Sequence, residues 1–435
     1  KQLGQRLEVS KLNTHLPTGA DLHSFNPSQP EQLVGIVQSY LPADVAGLLK
    51  VAESHAEEWK HRAVAERVAV MRKAASLMRE QRWELAAWEV FEEAKPWREA
   101  DADVAEAVDF LEYYAGEMEQ LDPPPRLGRY PGELNELFWS PRGVTVVIAP
   151  WNFPLAIPAG MVAAALVSGN PVLFKPSERA SIMGYRLATI LRQAGVPAGV
   201  LQYVPGGPDV GRELVTQASV ATIAFTGSKD VGLGMVQAAA VQQPGQKFVK
   251  RVIAEMGGKN AIIVDDTADL DEAVTGVVQS CTGYAGQKCS ACSRVILLDS
   301  IHDAFIQRLA DAVMSLRIGA AEDPATQVGP VIDGRAQKRI RDYLEIGRRE
   351  GRVVVDRSME GPGYAVGPVV IAGIEPTHRL AQEEIFGPVL AVMRASSFEQ
   401  ALQLANGTAY ALTGGLYSRS PRHIELARQA FDVGN

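Results

Sequence analysis

From Gly143 onward the chain alternates short runs of β-branched residues with stretches of helical periodicity, and that alternation limits the fold more than any other feature. The runs 144–148, 172–174, 200–204 and 221–225 are short and mainly apolar, as strands buried on both faces are. Each start follows the last by more than twenty residues, which leaves room for a crossover helix. Helices are expected near 155–168, 178–194, 209–218 and 229–241. Strands joined in this way form a parallel, doubly wound sheet. A second series follows, with strands at 261–264, 295–298, 353–355, 369–371 and 415–417 and helices near 269–282, 301–315, 333–349, 397–406 and 421–430. Two α/β halves imply a cleft between them, with ligands beyond the carboxyl ends of the strands.

Ahead of this, residues 43–120 read as helical. Val64, Val68, Met71, Ala75 and Met78 step along one face, as do Val104, Val108, Leu111, Ala115 and Met118, the spacing of core-facing stripes. Pro96 separates two helices, and Pro123-Pro124-Pro125 closes the region and opens a linker. The chain shows no internal repeat, and 435 residues suit two or three domains.

A hydrophobic share of 46% is ample for a large core. A net charge of −8 disfavours nucleic acid, whose binding draws on clustered lysine and arginine. The basic stretch 246–251 is interleaved with apolar residues and reads as a solvated or half-buried strand. No run reaches the roughly 18 uncharged apolar residues of a membrane span, and the first thirty residues lack a signal-peptide apolar core. The expectation is therefore a protein of the cytoplasm, or of an equivalent reducing lumen, with no membrane partner.

Cys281, Cys289 and Cys292 lie close together, and the rest of the chain has no cysteine. An odd, clustered set is not a disulfide framework. Cys289-x-x-Cys292 lacks a second pair or a nearby histidine to complete a zinc site, so no metal is expected. Cys289 stands in Gly286-Gln287-Lys288-Cys289-Ser290. Glycine there gives backbone freedom and lysine places positive charge beside the sulfur, a setting for a nucleophilic thiolate.

Other motifs sit where strands end. Pro150-Trp151-Asn152 follows the first strand of the sheet; an amide there can donate to an oxyanion, although a turn asparagine is the plainer reading. Lys175-Pro176-Ser177-Glu178 ends the second strand; lysine suits ribose or phosphate, and a carboxylate suits a free 2′-hydroxyl, while Ser177 and Glu178 also make an ordinary helix start. Gly227-Ser228 opens a helix whose N-terminus can receive a pyrophosphate. Glu255-Met256-Gly257-Gly258-Lys259-Asn260 sets a carboxylate before two glycines; in a low-dielectric cleft it would serve as a general base, and in solvent it is a turn glutamate. Gln382-Glu383-Glu384-Ile385-Phe386-Gly387 is a compact turn able to bind a ribose and brace a ring, or a surface loop with a buried phenylalanine.

Taken together and in this order, the motifs resemble the aldehyde dehydrogenase superfamily, in which the nucleophile follows the base as Cys289 follows Glu255, by 34 residues (289 − 255). The resemblance covers nearly the whole chain. It implies a Rossmann-like domain over 1–125 and 143–254, a catalytic domain over 255–435, and a projecting β-hairpin at 126–142 for assembly into a homo-oligomer. It also implies Cys289, Glu255 and Asn152 as catalytic residues. NAD would be bound by Pro150, Trp151, Lys175, Ser177, Glu178, Gly207, Gly227, Ser228, Gly257, Glu384 and Phe386.

Within the superfamily, Gly286-Gln287-Lys288-Cys289-Ser290-Ala291-Cys292-Ser293-Arg294, residues 244–251 and Val108-Asp109-Phe110-Leu111-Glu112-Tyr113-Tyr114 are similar to the branch that oxidises L-glutamate γ-semialdehyde to L-glutamate. That branch implies Lys288 and Ser290 on the substrate's carboxylate, Glu106 on its ammonium, and Phe110 nearby. Members normally continue into a glycine-rich anchor loop and a final strand, which the chain as given lacks. Gly434 is expected to cap the last helix. Two alternatives stay open: a dehydrogenase of another acidic semialdehyde such as succinate semialdehyde, and a domain that binds NAD without turnover.

Overall fold

The structure, a computed structural model, describes residues 3–435. It divides into two compact units: 1–26, 31–93 and 100–256 form the first, and 27–30, 94–99 and 257–435 the second.

An N-terminal three-stranded sheet of β1 (Gln5–Leu7), β2 (Asp21–Asn26) and β3 (Gln29–Gln38) runs in the order β1-β3-β2. No strand alternation marks β2, Asp-Leu-His-Ser-Phe-Asn, whose apolar residues Leu22 and Phe25 lie three apart while Ser24 and Asn26 are the buried ones. Four helices follow: α1 (Val45–His61), α2 (Val64–Glu80), α3 (Arg82–Glu92) and α4 (Trp97–Leu121). The break between α3 and α4 falls at Pro96, as expected. Val68, Met71, Ala75 and Met78 of α2 and Val104, Val108, Leu111 and Ala115 of α4 are buried.

The main sheet of the first unit holds β4 (Thr145–Ile148), β5 (Val172–Lys175), β6 (Leu201–Tyr203), β7 (Thr222–Thr226) and β8 (Arg251–Glu255) in the order β6-β5-β4-β7-β8. All the pairings are parallel. Helices α5 (Ala156–Val167), α6 (Ser181–Ala194), α7 (Pro208–Thr216) and α8 (Lys229–Ala240) make the crossovers. The strand order reverses between β4 and β7, so the loops after those two strands flank the point where such sheets bind dinucleotides. β8, at the edge, alternates exposed and half-buried residues. It begins where the basic stretch ends, and Lys250 Nζ donates to the Val215 carbonyl (2.7 Å).

Residues 126–142 double back with Leu127 N–H donating to Asn135 O (2.8 Å), Leu137 N–H donating to Pro125 O (3.1 Å), and one antiparallel bridge, Arg126 to Glu136. These bonds stop short of a strand ladder. Leu127, Tyr130, Leu134, Phe138 and Trp139 are exposed there.

The second unit is built on β9 (Asn260–Val264), β10 (Cys292–Leu298), β11 (Arg352–Asp356), β12 (Val369–Ala372), β13 (Val389–Ala395) and β14 (Gly414–Tyr417), in the order β11-β12-β13-β10-β9-β14. Pairing is parallel except for the edge pair β11/β12, which is antiparallel. Helices α9 (Leu270–Thr282), α10 (His302–Met314), α11 (Gly334–Glu350), α12 (Arg379–Gln382), α13 (Phe398–Asn406) and α14 (Pro421–Ala430) accompany it. Asp269, Asp333, Ser397 and Ser420 cap α9, α11, α13 and α14 through their side-chain oxygens. Gly434 does not cap α14. That helix ends at Ala430, whose carbonyl accepts from Asn406 Nδ2 (2.7 Å), and Gly434 N–H instead donates to Ala411 O (2.9 Å).

Candidate active site

In the first unit, β4 runs into Pro150, Trp151 and Asn152, and Asn152 is buried. The helix after this loop is held from α4: the carboxylate of Asp103, itself buried, accepts from Ala156 N–H (2.8 Å) at the start of α5. Nothing in the sequence singled out Asp103, which lies on the apolar face of its helix.

β5 delivers Lys175, which is only 6% exposed. Burial pushes its ammonium down to about 8, against the opposing pull of Glu178 and Asp209. Its Nζ donates to Pro176 O (3.3 Å). Ser177 Oγ accepts from Arg179 N–H, and Glu178 is exposed at the start of the following turn. Gly207 is the residue before α7; a Cβ built on it would lie 2.7 Å from Asp209 Oδ1 and 3.5 Å from Glu178 Oε1. A cradle of buried ammonium, carboxylate and bare backbone fits a ribose diol.

After β7, Gly227 N–H donates to Glu255 O (3.1 Å), and Ser228 stands before α8 with no side-chain cap bond. The start of α8 therefore offers backbone N–H groups to an anion, the setting for a pyrophosphate. Glu255 closes β8 with its side chain exposed. Of the two settings left open for it, an exposed position at the end of an edge strand is the one seen. On α4, Glu106 is exposed and Phe110 packs on α5, where a Cβ on Gly160 would meet its ring at 3.1 Å.

In the second unit, the approach to Cys289 is unusual. Tyr284, Ala285 and Gly286 carry φ of 49°, 51° and 67° in succession, a left-handed stretch that side-chain-bearing residues rarely adopt. Gly286 is required there, since a Cβ would run into the Gly387 carbonyl and lie 3.1 Å from Cys281 O. Gln287, fully buried, pins the loop: its Oε1 accepts from Ile332 N–H (2.9 Å).

Beyond Cys289, Asn260 Nδ2 donates to the carbonyls of Cys289 (2.7 Å) and Ala291 (3.0 Å), and its Oδ1 accepts from Thr413 N–H (3.0 Å). Cys289 is half-buried, whereas Cys281 and Cys292 are buried with thiols pushed up by burial, Cys292 to about 12. None of the three forms a disulfide. The half-exposed sulfur is thus the one placed for chemistry.

Lys288 Nζ lies 2.6 Å from a carboxylate oxygen of Glu99, both side chains about one-fifth exposed. The sequence placed no acid there, because Glu99 is 189 positions away. Ser290 is exposed, and its carbonyl accepts from Thr413 Oγ1 (3.4 Å).

Glu384 carries a carboxylate raised by burial, one oxygen accepting from Gly258 N–H (2.9 Å). It rests so close on Gly257 that a Cβ there would force the carboxylate to shift. Phe386 takes φ of 56° in the same turn.

The aldehyde dehydrogenase family pattern matches residues 16–435, and the chain belongs to that family. Among curated proteins it is 43% identical to the 1-pyrroline-5-carboxylate dehydrogenase of Geobacillus thermodenitrificans, over all of this chain and 85% of that one. It is 39% identical to the protein of the same name in Bacillus subtilis, with the same two coverages. Among solved structures, 1-pyrroline-5-carboxylate dehydrogenase from Thermus with bound NAD superposes with a TM-score of 0.96 at 42% identity, covering 100% of this chain and 84% of that one. Proline utilization A from Bdellovibrio bacteriovorus gives 0.95 at 46% identity, over 97% of this chain but 44% of its own.

Proposed function

We propose that the chain oxidises L-glutamate γ-semialdehyde, the hydrated open form of 1-pyrroline-5-carboxylate, to L-glutamate with NAD. The observation that carries this reading is the 43% identity, along the entire chain, to proteins named for that reaction. The second-unit loop, with its held, half-exposed Cys289, supports the chemistry, and the NAD-bound Thermus relative supports the cofactor.

Cys289 Sγ attacks the aldehyde carbon, and the resulting oxyanion accepts from the Asn152 amide and the Cys289 backbone N–H. Lys175, Glu178, Ser228 and Glu384 would hold NAD, which would supply the hydride acceptor. Loss of hydride leaves a thioester on Cys289. Glu255 takes a proton from the water that attacks this thioester, releasing L-glutamate and the thiolate. Lys288 and Ser290 serve the substrate's α-carboxylate, Lys288 sharing its charge with Glu99. Glu106 serves the ammonium.

No described helix is long and apolar enough to cross a membrane, and the cytoplasm is the compartment proposed. The exposed apolar side chains of 126–142 support assembly into a homo-oligomer.

NADH formation from L-glutamate γ-semialdehyde and from succinate semialdehyde tests the reading. The first should be favoured by at least about tenfold, since only it carries the amino group; equal rates would sink it.

A further inference from the structure

The space over Gly207 holds a second carboxylate that the cofactor reading leaves unused. Gly207 precedes α7, Pro208 starts it and Asp209 comes next, exposed in the first turn. A Cβ on Gly207 would sit 2.7 Å from Asp209 Oδ1 and 3.5 Å from Glu178 Oε1, so two carboxylates share the room above one glycine. Beneath them lies the buried Lys175, whose Cδ and Cε are each 3.6 Å from a Cβ built on Gly211, one turn further along α7. Both acids act on its ammonium.

An aspartate in a first turn favours a helix through the macrodipole wherever its side chain points. That accounts for an acid at this position but not for its lying over Gly207 beside Glu178. Two exposed carboxylates and one buried ammonium thus meet at the cradle. A ribose diol donates to such oxygens. A 2′-phosphate brings roughly −1.5 to −2 charge and no donor.

We propose that Asp209 is a second specificity-determining residue for the cofactor, acting with Glu178 to exclude a dinucleotide that carries a 2′-phosphate. The inference rests on the reading of NAD as cofactor and deepens it. Glu178 alone is matched in charge by Lys175; Asp209 tips the balance against the phosphate.

The test compares kcat/KM for NADP and NAD in wild type, Asp209→Asn, Glu178→Gln and the double variant, with calorimetric titration of 5′-AMP and 2′,5′-ADP. Wild type should prefer NAD. Asp209→Asn should raise the NADP/NAD ratio about tenfold, the size of a like-charge contact near a surface, and added salt should shrink the gain. Asp209→Ser should do the same, which separates charge from any effect on α7. A ratio unchanged in both Asp209 variants, with Glu178→Gln still shifting it, would overturn the proposal, as would a wild type indifferent to the phosphate. If wild type binds neither NAD nor 5′-AMP, the cofactor reading falls first and this one with it.

Discussion

Lys288, the residue before Cys289, is paired with Glu99 at 2.6 Å. The pair is partly exposed, so its contribution to stability is no more than about 1 kcal/mol. On the proposed reading its consequence is for substrate charge, since an incoming carboxylate would share this ammonium with Glu99.

Lys288→Met should therefore raise KM for the acidic semialdehyde by about tenfold while changing KM for an uncharged aldehyde of similar length far less. Glu99→Gln should lower KM for the acidic substrate and leave thermal melting nearly unchanged. Steady-state kinetics on both aldehydes checks this, and parallel changes for the two would count against a carboxylate role.

Exposure separates the three thiols. At neutral pH iodoacetamide should label Cys289 first, with Cys281 and Cys292 protected by burial and by their raised pKa. Peptide mass spectrometry reads the order directly. Cys289→Ala should lose turnover by at least about a thousandfold, and Glu255→Gln should accumulate an acyl adduct on Cys289 under single turnover.

Asn260→Ala removes donors to two carbonyls and an acceptor for Thr413. At about 1 kcal/mol for each bond, stability should fall by about 2–4 kcal/mol. Turnover should fall further than NAD binding, because the bonds hold the backbone of Cys289, the proposed nucleophile. Denaturant melts paired with kcat and an NAD titration separate the two effects.

Glu92 gives a pH dependence of definite sign. Its buried carboxylate accepts from Ser24 Oγ (2.6 Å) and from the N–H groups of Ile182 (2.9 Å) and Met183 (2.8 Å) at the start of α6. Burial still raises it from 4.5 to about 7. A raised folded value favours the protonated form, so its stabilising contribution is full below 4.5 and is lost as pH rises through about 7. Glu92→Gln should flatten that part of the stability profile. Thermal melts across this window, in wild type and variant, provide the check.

Much of this was legible in the chain. Strand and helix alternation located β4 to β7 and their crossovers because buried parallel strands are continuous apolar runs. The same logic missed β8, whose exposed edge keeps arginine and glutamate. β13 was open to detection, as Val389-Leu390-Ala391-Val392 is such a run. Cys289 stood out through its neighbours, and the structure makes it the half-exposed thiol of the three. Glu99 and Asn260 were not, since a glutamate far upstream and an asparagine after two glycines acquire their roles only when folding brings them to the cysteine loop.

Asn260 is also the first residue of β9, and β10 begins with Cys292, three positions after Cys289, with a register shift between Cys292 and Arg294. Reactivity at Cys289 therefore depends on two neighbouring strands having found their proper alignment. A slip of one residue would leave the sheet hydrogen-bonded but the thiol misplaced. Counting reactive thiols in a refolded sample would thus count the molecules whose strands are correctly threaded, an assay of folding fidelity that spectroscopy of secondary structure does not provide.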